Sequence, residues 1–143
     1  MSSRSARRLA ALLAAAGLTH FAAPAPYDSI VPRALPGKPR TWTLVSGAAE
    51  LAVAAAIAHP RTRRAGGLAA AGLFAVVFPA NVQMAWDWRD RPGPLRLAAI
   101  ARLPLQAPLV AWALQVSHSA AAAQLPAVRM RHEFLIRSQT DSV

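Results

Sequence analysis

Apolar residues gather into four runs, separated by short connectors rich in proline or arginine. The runs cover about residues 9–23, 42–59, 65–86 and 97–118. The last three approach or exceed the roughly 20 residues a helix needs to cross about 30 Å of hydrocarbon. None shows the alternation of a barrel strand. In lipid the backbone must satisfy its own polar groups, so the pattern predicts helices.

The connectors set the organisation. Residues 24–40, PAPYDSIVPRALPGKPR, carry five prolines, which exclude a continuous helix; Tyr27–Val31 is placed on the membrane surface. The turn PRTRR (60–64) folds the second and third runs into an antiparallel hairpin. The polar loop 87–96 separates the third from the fourth. The expected fold is all-α: an integral membrane four-helix bundle with antiparallel neighbours and both termini on one side. It divides into a four-span domain, residues 1–120, and a polar C-terminal tail, residues 121–143. The first run, LAALLAAAGLTHFAA, also fits a secretory signal peptide ending near Ala23–Pro24–Ala25. His20 within it and prolines at the exit favour a retained helix, and both readings stay open.

Composition supports the membrane class. Apolar residues make up 55% of the 143-residue chain and charged residues only 15%; mean hydropathy is +0.28. An ordinary soluble domain carries about 25% charged residues. The net charge of +10 raises nucleic-acid binding. The arginines, however, punctuate the apolar runs instead of forming one basic face, which argues for membrane topology and against nucleic acid. Nine arginines lie at the N-terminus, the 60–64 turn and the tail, against six Lys and Arg in the two opposite loops. That bias puts both termini in the cytoplasm, with Tyr27, Trp42, Trp86 and Trp88 as an aromatic belt at the other interface. The chain contains no cysteine, which removes disulfides, thiol nucleophiles and thiolate metal ligands.

Five polar side chains interrupt the runs: His20, Glu50, Asn81, Arg102 and Gln106. At 1.5 Å per residue Glu50 lies about 12 Å below the edge marked by Trp42, with Arg102 about 8 Å and Gln106 about 13 Å below Leu97. His20 and Asn81 sit near the ends of their runs on the same side, so all four helices contribute to one polar cluster. An unpaired charge at the bilayer centre costs at least about 2.5–3.5 kcal/mol. Glu50 and Arg102 therefore form an ion pair facing the interior, or Glu50 is protonated, because burial disfavours the charged form. Pro79, Pro104 and Pro108 should free the carbonyls of Ala75, Ile100 and Pro104 near the same level. A plainer reading makes the polar residues interhelical glue, worth about 0.6 kcal/mol per contact; His20 then reads as a snorkelling or hydrogen-bonded ring. His59, His118 and His132 lack metal-ligand spacing, so no metal site is expected. Trp112 faces lipid or core. Gly67 and Ala71 form a small-xxx-small face, a weak signal in so Ala-rich a helix. No phosphate loop, dinucleotide fingerprint or nucleophile elbow is present.

Taken in order, GLTHF (17–21), IVPRALP (30–36), SGAAEL (46–51), FPANVQMA (78–85) and RLPLQAPLVAW (102–112) resemble the DoxX family of small bacterial four-helix membrane proteins. The resemblance implies a bacterial plasma-membrane location and association with membrane-bound oxidoreductases, including quinone-coupled ones. It also implies that His20, Glu50, Asn81, Arg102 and Gln106 form a shared polar site. The leading expectation is a non-catalytic accessory or anchoring subunit of an oxidoreductase, with an intramembrane cavity for a quinone-like cofactor. The alternatives are a stand-alone enzyme or transporter for a small amphiphile, using Glu50 and Arg102, and a purely structural bundle.

Overall fold

The computed structural model describes the backbone of residues 3–140 and the side chains as far as Ala123. Five helices follow one another: α1 (Ser3–Ala22), α2 (Pro24–Asp28), α3 (Pro39–Ala58), α4 (Arg63–Asp87) and α5 (Gly93–Thr140). Among the described residues there is no strand.

Prolines place two of the helix starts. The connector that cannot hold a continuous helix starts one at Pro24 and another at Pro39; proline's fixed φ suits the first helical position, whose N–H has no intrahelical partner anyway. So α2 occupies the first part of this connector, and α3 begins three residues before Trp42. The arginine turn does local work besides setting topology. Arg63 donates from Nε to the Ile57 carbonyl at 3.0 Å and from Nη2 to the Ala58 carbonyl at 3.2 Å. Thr62 Oγ1 donates to the Ala56 carbonyl at 2.8 Å. The last carbonyls of α3 are thereby satisfied, which a helix end near an apolar medium requires.

Among the described residues three helices are long and apolar enough to cross a membrane: Pro39–Ala58, Arg63–Asp87 and Gly93–Ala123. In their most apolar windows only 22%, 28% and 17% of residues are buried, so their apolar surface is compatible with a lipid bilayer. Helix α1, the fourth expected span, is not among these three: its first turns carry Arg4, Arg7 and Arg8 and its apolar run is short. Helix α5 continues past the apolar run to Thr140. Arg129, His132 and the other tail side chains lie outside the described residues.

The helices pack mainly as two pairs, α1 on α3 and α4 on α5, joined through α3 and α4. The shared core is Leu9 and Leu13 of α1, Ala54 and Ile57 of α3, Ala70 and Phe74 of α4, and Ala113 and Val116 of α5. These residues occupy the half of the molecule near the start of α1 and the α3–α4 turn. Trp112 belongs there too, donating from Nε1 to Ser5 Oγ at 2.8 Å and so tying α5 to α1. In the other half burial is pairwise: Gly17 and Gly47 between α1 and α3, and Met84, Ala99 and Gln106 between α4 and α5.

Glycines set the close approaches. A Cβ on Gly17 would stand 2.9 Å from the Gly47 carbonyl oxygen, and one on Gly67 would stand 2.8 Å from the Ser117 nitrogen. Real Cβ atoms essentially never come that near, so α1–α3 and α4–α5 pack backbone to backbone. The small-residue face at Gly67 and Ala71, which says little as sequence, is therefore a working contact.

Candidate functional site

The α1–α3 crossing places His20 beside Glu50. Each follows its crossing glycine by three residues, Gly17 with His20 and Gly47 with Glu50, and residues three apart share a helix face. A Cβ on Gly47 would come within 2.7 Å of His20 Cβ, so this glycine makes room for the ring. The His20 side chain is 9% exposed and that of Glu50 13%.

The hydrogen bonds fix the tautomer. His20 Nδ1 lies 2.9 Å from the Ala16 carbonyl oxygen; a carbonyl cannot donate, so Nδ1 carries the proton. Glu50 Oε2 is 3.7 Å from the same nitrogen, too far for a hydrogen bond. Oε2 is buried and has no hydrogen-bond partner. A buried polar atom left this way forfeits about 1–3 kcal/mol.

Helix α2 closes over the ring. Tyr27 stacks on His20 with centroids 3.8 Å apart and planes at 26°. Thr19 donates to the Ala16 carbonyl at 2.6 Å, and its oxygen is 2.5 Å from the Tyr27 hydroxyl. Having given its proton to Ala16, Thr19 accepts from Tyr27. One residue on, Asp28 fastens α2 to the first turns of α3: Thr43 Oγ1 donates to its Oδ1 at 2.6 Å and Arg40 Nε to its Oδ2 at 2.9 Å. The Thr43 hydroxyl first, and Arg40 after it, hold the Asp28 carboxyl below the usual range. Asp28 and Arg40 also line a shallow, open depression with Ala25, Ser29, Lys38 and Pro39. Tyr27 thus forms a cover for His20.

The other polar residues gather on the second helix pair. Gln106, buried on α5, donates from Nε2 to the Phe74 carbonyl and accepts from Asn81 Nδ2 at 3.4 Å. The carbonyl supplied in this way is one residue before Ala75, the position implicated by Pro79; a proline bend loosens that whole turn. Arg102 Nη1 contacts Met84 Sδ at 3.3 Å and forms no ion pair among the described residues. The expected Glu50–Arg102 pair is therefore replaced by Glu50 beside His20. Similar depth in a bilayer does not make two side chains neighbours, and here they belong to different helix pairs.

Sequence reasoning missed Gly17, Thr19, Tyr27, Asp28, Thr43 and Gly47. The repeated spacing in GLTH and GAAE, a glycine three residues before a polar side chain, was the signal available. Tyr27 and Asp28 carried none, because the path of the proline-rich connector decides where they go.

Comparison with known proteins changes the family assignment. No curated protein and no solved structure matches the chain. The DoxX resemblance is overturned: the match found is to a different family, over residues 9–117. The motifs behind the resemblance are short and built from Ala, Leu and Pro around isolated polar residues, a pattern that unrelated apolar helices share. With it goes the basis for the oxidoreductase and quinone expectations. That match spans the apolar part of every long helix, and the chain belongs to the family described as a domain of unknown function, DUF8561.

Proposed function

We propose that all four long helices cross the bilayer and that the α1–α2–α3 side binds the polar head of a small amphiphile. Glu50 is the acceptor for a hydroxyl or ammonium donor, His20 orients the head, and Tyr27 covers it. The observation that carries this reading is the buried Glu50 Oε2 with no donor, beside a histidine whose Nδ1 proton is already engaged by Ala16. An acceptor kept dry and unsatisfied suits a ligand that brings its own donor.

The span assignment draws on the outward face of α1. Leu12, Leu18 and Phe21 are 44%, 58% and 46% exposed, as lipid-facing residues would be. Four crossings put both termini on one side, and the arginine bias makes that side cytoplasmic.

The test is to purify wild type and Glu50→Gln in mild detergent from the same membranes and compare bound small molecules by mass spectrometry. The expected result is a stoichiometric amphiphile with wild type that is lost in the variant while the helical fold is kept. Equal bound material in both proteins would reduce Glu50 to a packing residue and sink the proposal.

A further inference from the structure

We propose a second, separate site: Arg102 holds the phosphate of a phospholipid whose chains cover the adjoining face of α5. The inference rests on α4 and α5 crossing a bilayer, and on nothing at His20 or Glu50.

Arg102 stands on the edge of the stripe by which α5 meets α4. Ala99 and Gln106, one turn to either side, are buried at 1% and 8% exposure, as is Met84 at 1%, yet Arg102 itself is exposed. Its Nη1 reaches the buried Met84 in the α4–α5 seam, while the residue as a whole stays exposed. The outward neighbours on its own face are Ala98 and Leu105, both exposed, so the charge opens onto an apolar surface.

Among the described residues its one polar partner is the thioether of Met84. Sulfur is a weak acceptor, and arginine has five N–H donors. Most of the guanidinium therefore lacks a partner in a setting where an unpaired charge is costly. Helical side chains lean toward the helix N-terminus, which for α5 is the membrane edge near Gly93. Met84 is three residues from the end of α4, about 5 Å along the axis. The guanidinium thus reaches the boundary between acyl chains and headgroups, where lipid phosphates lie. Its planar fork matches two phosphate oxygens.

Native mass spectrometry of the delipidated protein in mild detergent tests this. Wild type, Arg102→Gln and Arg102→Lys are each titrated with phosphatidylglycerol, diacylglycerol of the same chains, and inorganic phosphate. The expected result is one retained phosphatidylglycerol on wild type, at least ten-fold weaker in Arg102→Gln and intermediate in Arg102→Lys, with diacylglycerol not retained. Equal retention by Arg102→Gln, or equal binding of diacylglycerol, overturns the proposal. Displacement of phosphatidylglycerol by inorganic phosphate would make this a free-anion site and also overturn it. So would a membrane protein that copurifies only with wild type while no phosphatidylglycerol binds. If Arg102→Gln fails to fold, the wild-type contrast between phosphatidylglycerol and diacylglycerol still decides. Wild type that does not sediment with membranes would sink the span assignment instead, before any lipid is added.

Discussion

His20 and Glu50 face each other across the α1–α3 crossing with Nδ1 and Oε2 3.7 Å apart, near enough to interact and too far to hydrogen-bond. That gap depends on how closely the two backbones approach, and the approach depends on Gly17 and Gly47.

Adding a methyl at the crossing should therefore be costly. Gly47→Ala would set a Cβ 2.7 Å from His20 Cβ, and overpacking of this kind costs about 1–3 kcal/mol. Gly72→Ala is the matched control, since nothing lies within 4 Å of its added Cβ; alanine there should be neutral or stabilising by up to about 1 kcal/mol. Thermal unfolding in detergent should lower the melting temperature for the first variant only.

The hold of α2 on α3 should depend on pH. Asp28's carboxyl is depressed in the folded state, so its contribution is fully present above the ordinary aspartate value. That contribution is lost as pH falls through the depressed one. Tyr27 is the sole tyrosine, so a fluorotyrosine NMR signal reports the cover alone. The signal should be constant near neutral pH and shift in strong acid. Asp28→Asn should show the shifted position at every pH; a variant spectrum like wild type's would count against the clasp.

Glu50 should react with carbodiimides as a membrane carboxyl does. Hydrophobic dicyclohexylcarbodiimide should modify Glu50 in membranes, whereas a water-soluble carbodiimide should favour Asp90, whose side chain is 84% exposed. Peptide mapping distinguishes the two. Labelling of Glu50 by the water-soluble reagent alone would place it outside the hydrocarbon.

Gln106 should matter more than an average intramembrane contact. Gln106→Leu removes the donor to the Phe74 carbonyl and the acceptor for Asn81 together. The expected loss is about 1–2 kcal/mol, the lower part of the range for an orphaned buried group, against about 0.6 kcal/mol for typical interhelical contacts. A double-mutant cycle with Asn81→Ala separates the two links. A cycle with no coupling would mean that Asn81 spends its amide elsewhere.

The amino-acid sequence determined the helical class, three apolar helices and the turns between them. Lipid-length helices have to carry unbroken apolar runs, and prolines and arginines have to stand where those runs stop. It also determined the depth of each polar residue, because distance along a helix is proportional to residue count. Only the tertiary structure decided which residues meet. Depth leaves rotation about each helix axis and the choice of neighbour open, so Glu50 and Arg102 look like partners as sequence and lie on different helix pairs in space. The glycine contacts chose His20 for Glu50. The path of a proline-rich connector, which no periodicity describes, brought Tyr27 over the ring and Asp28 onto Thr43.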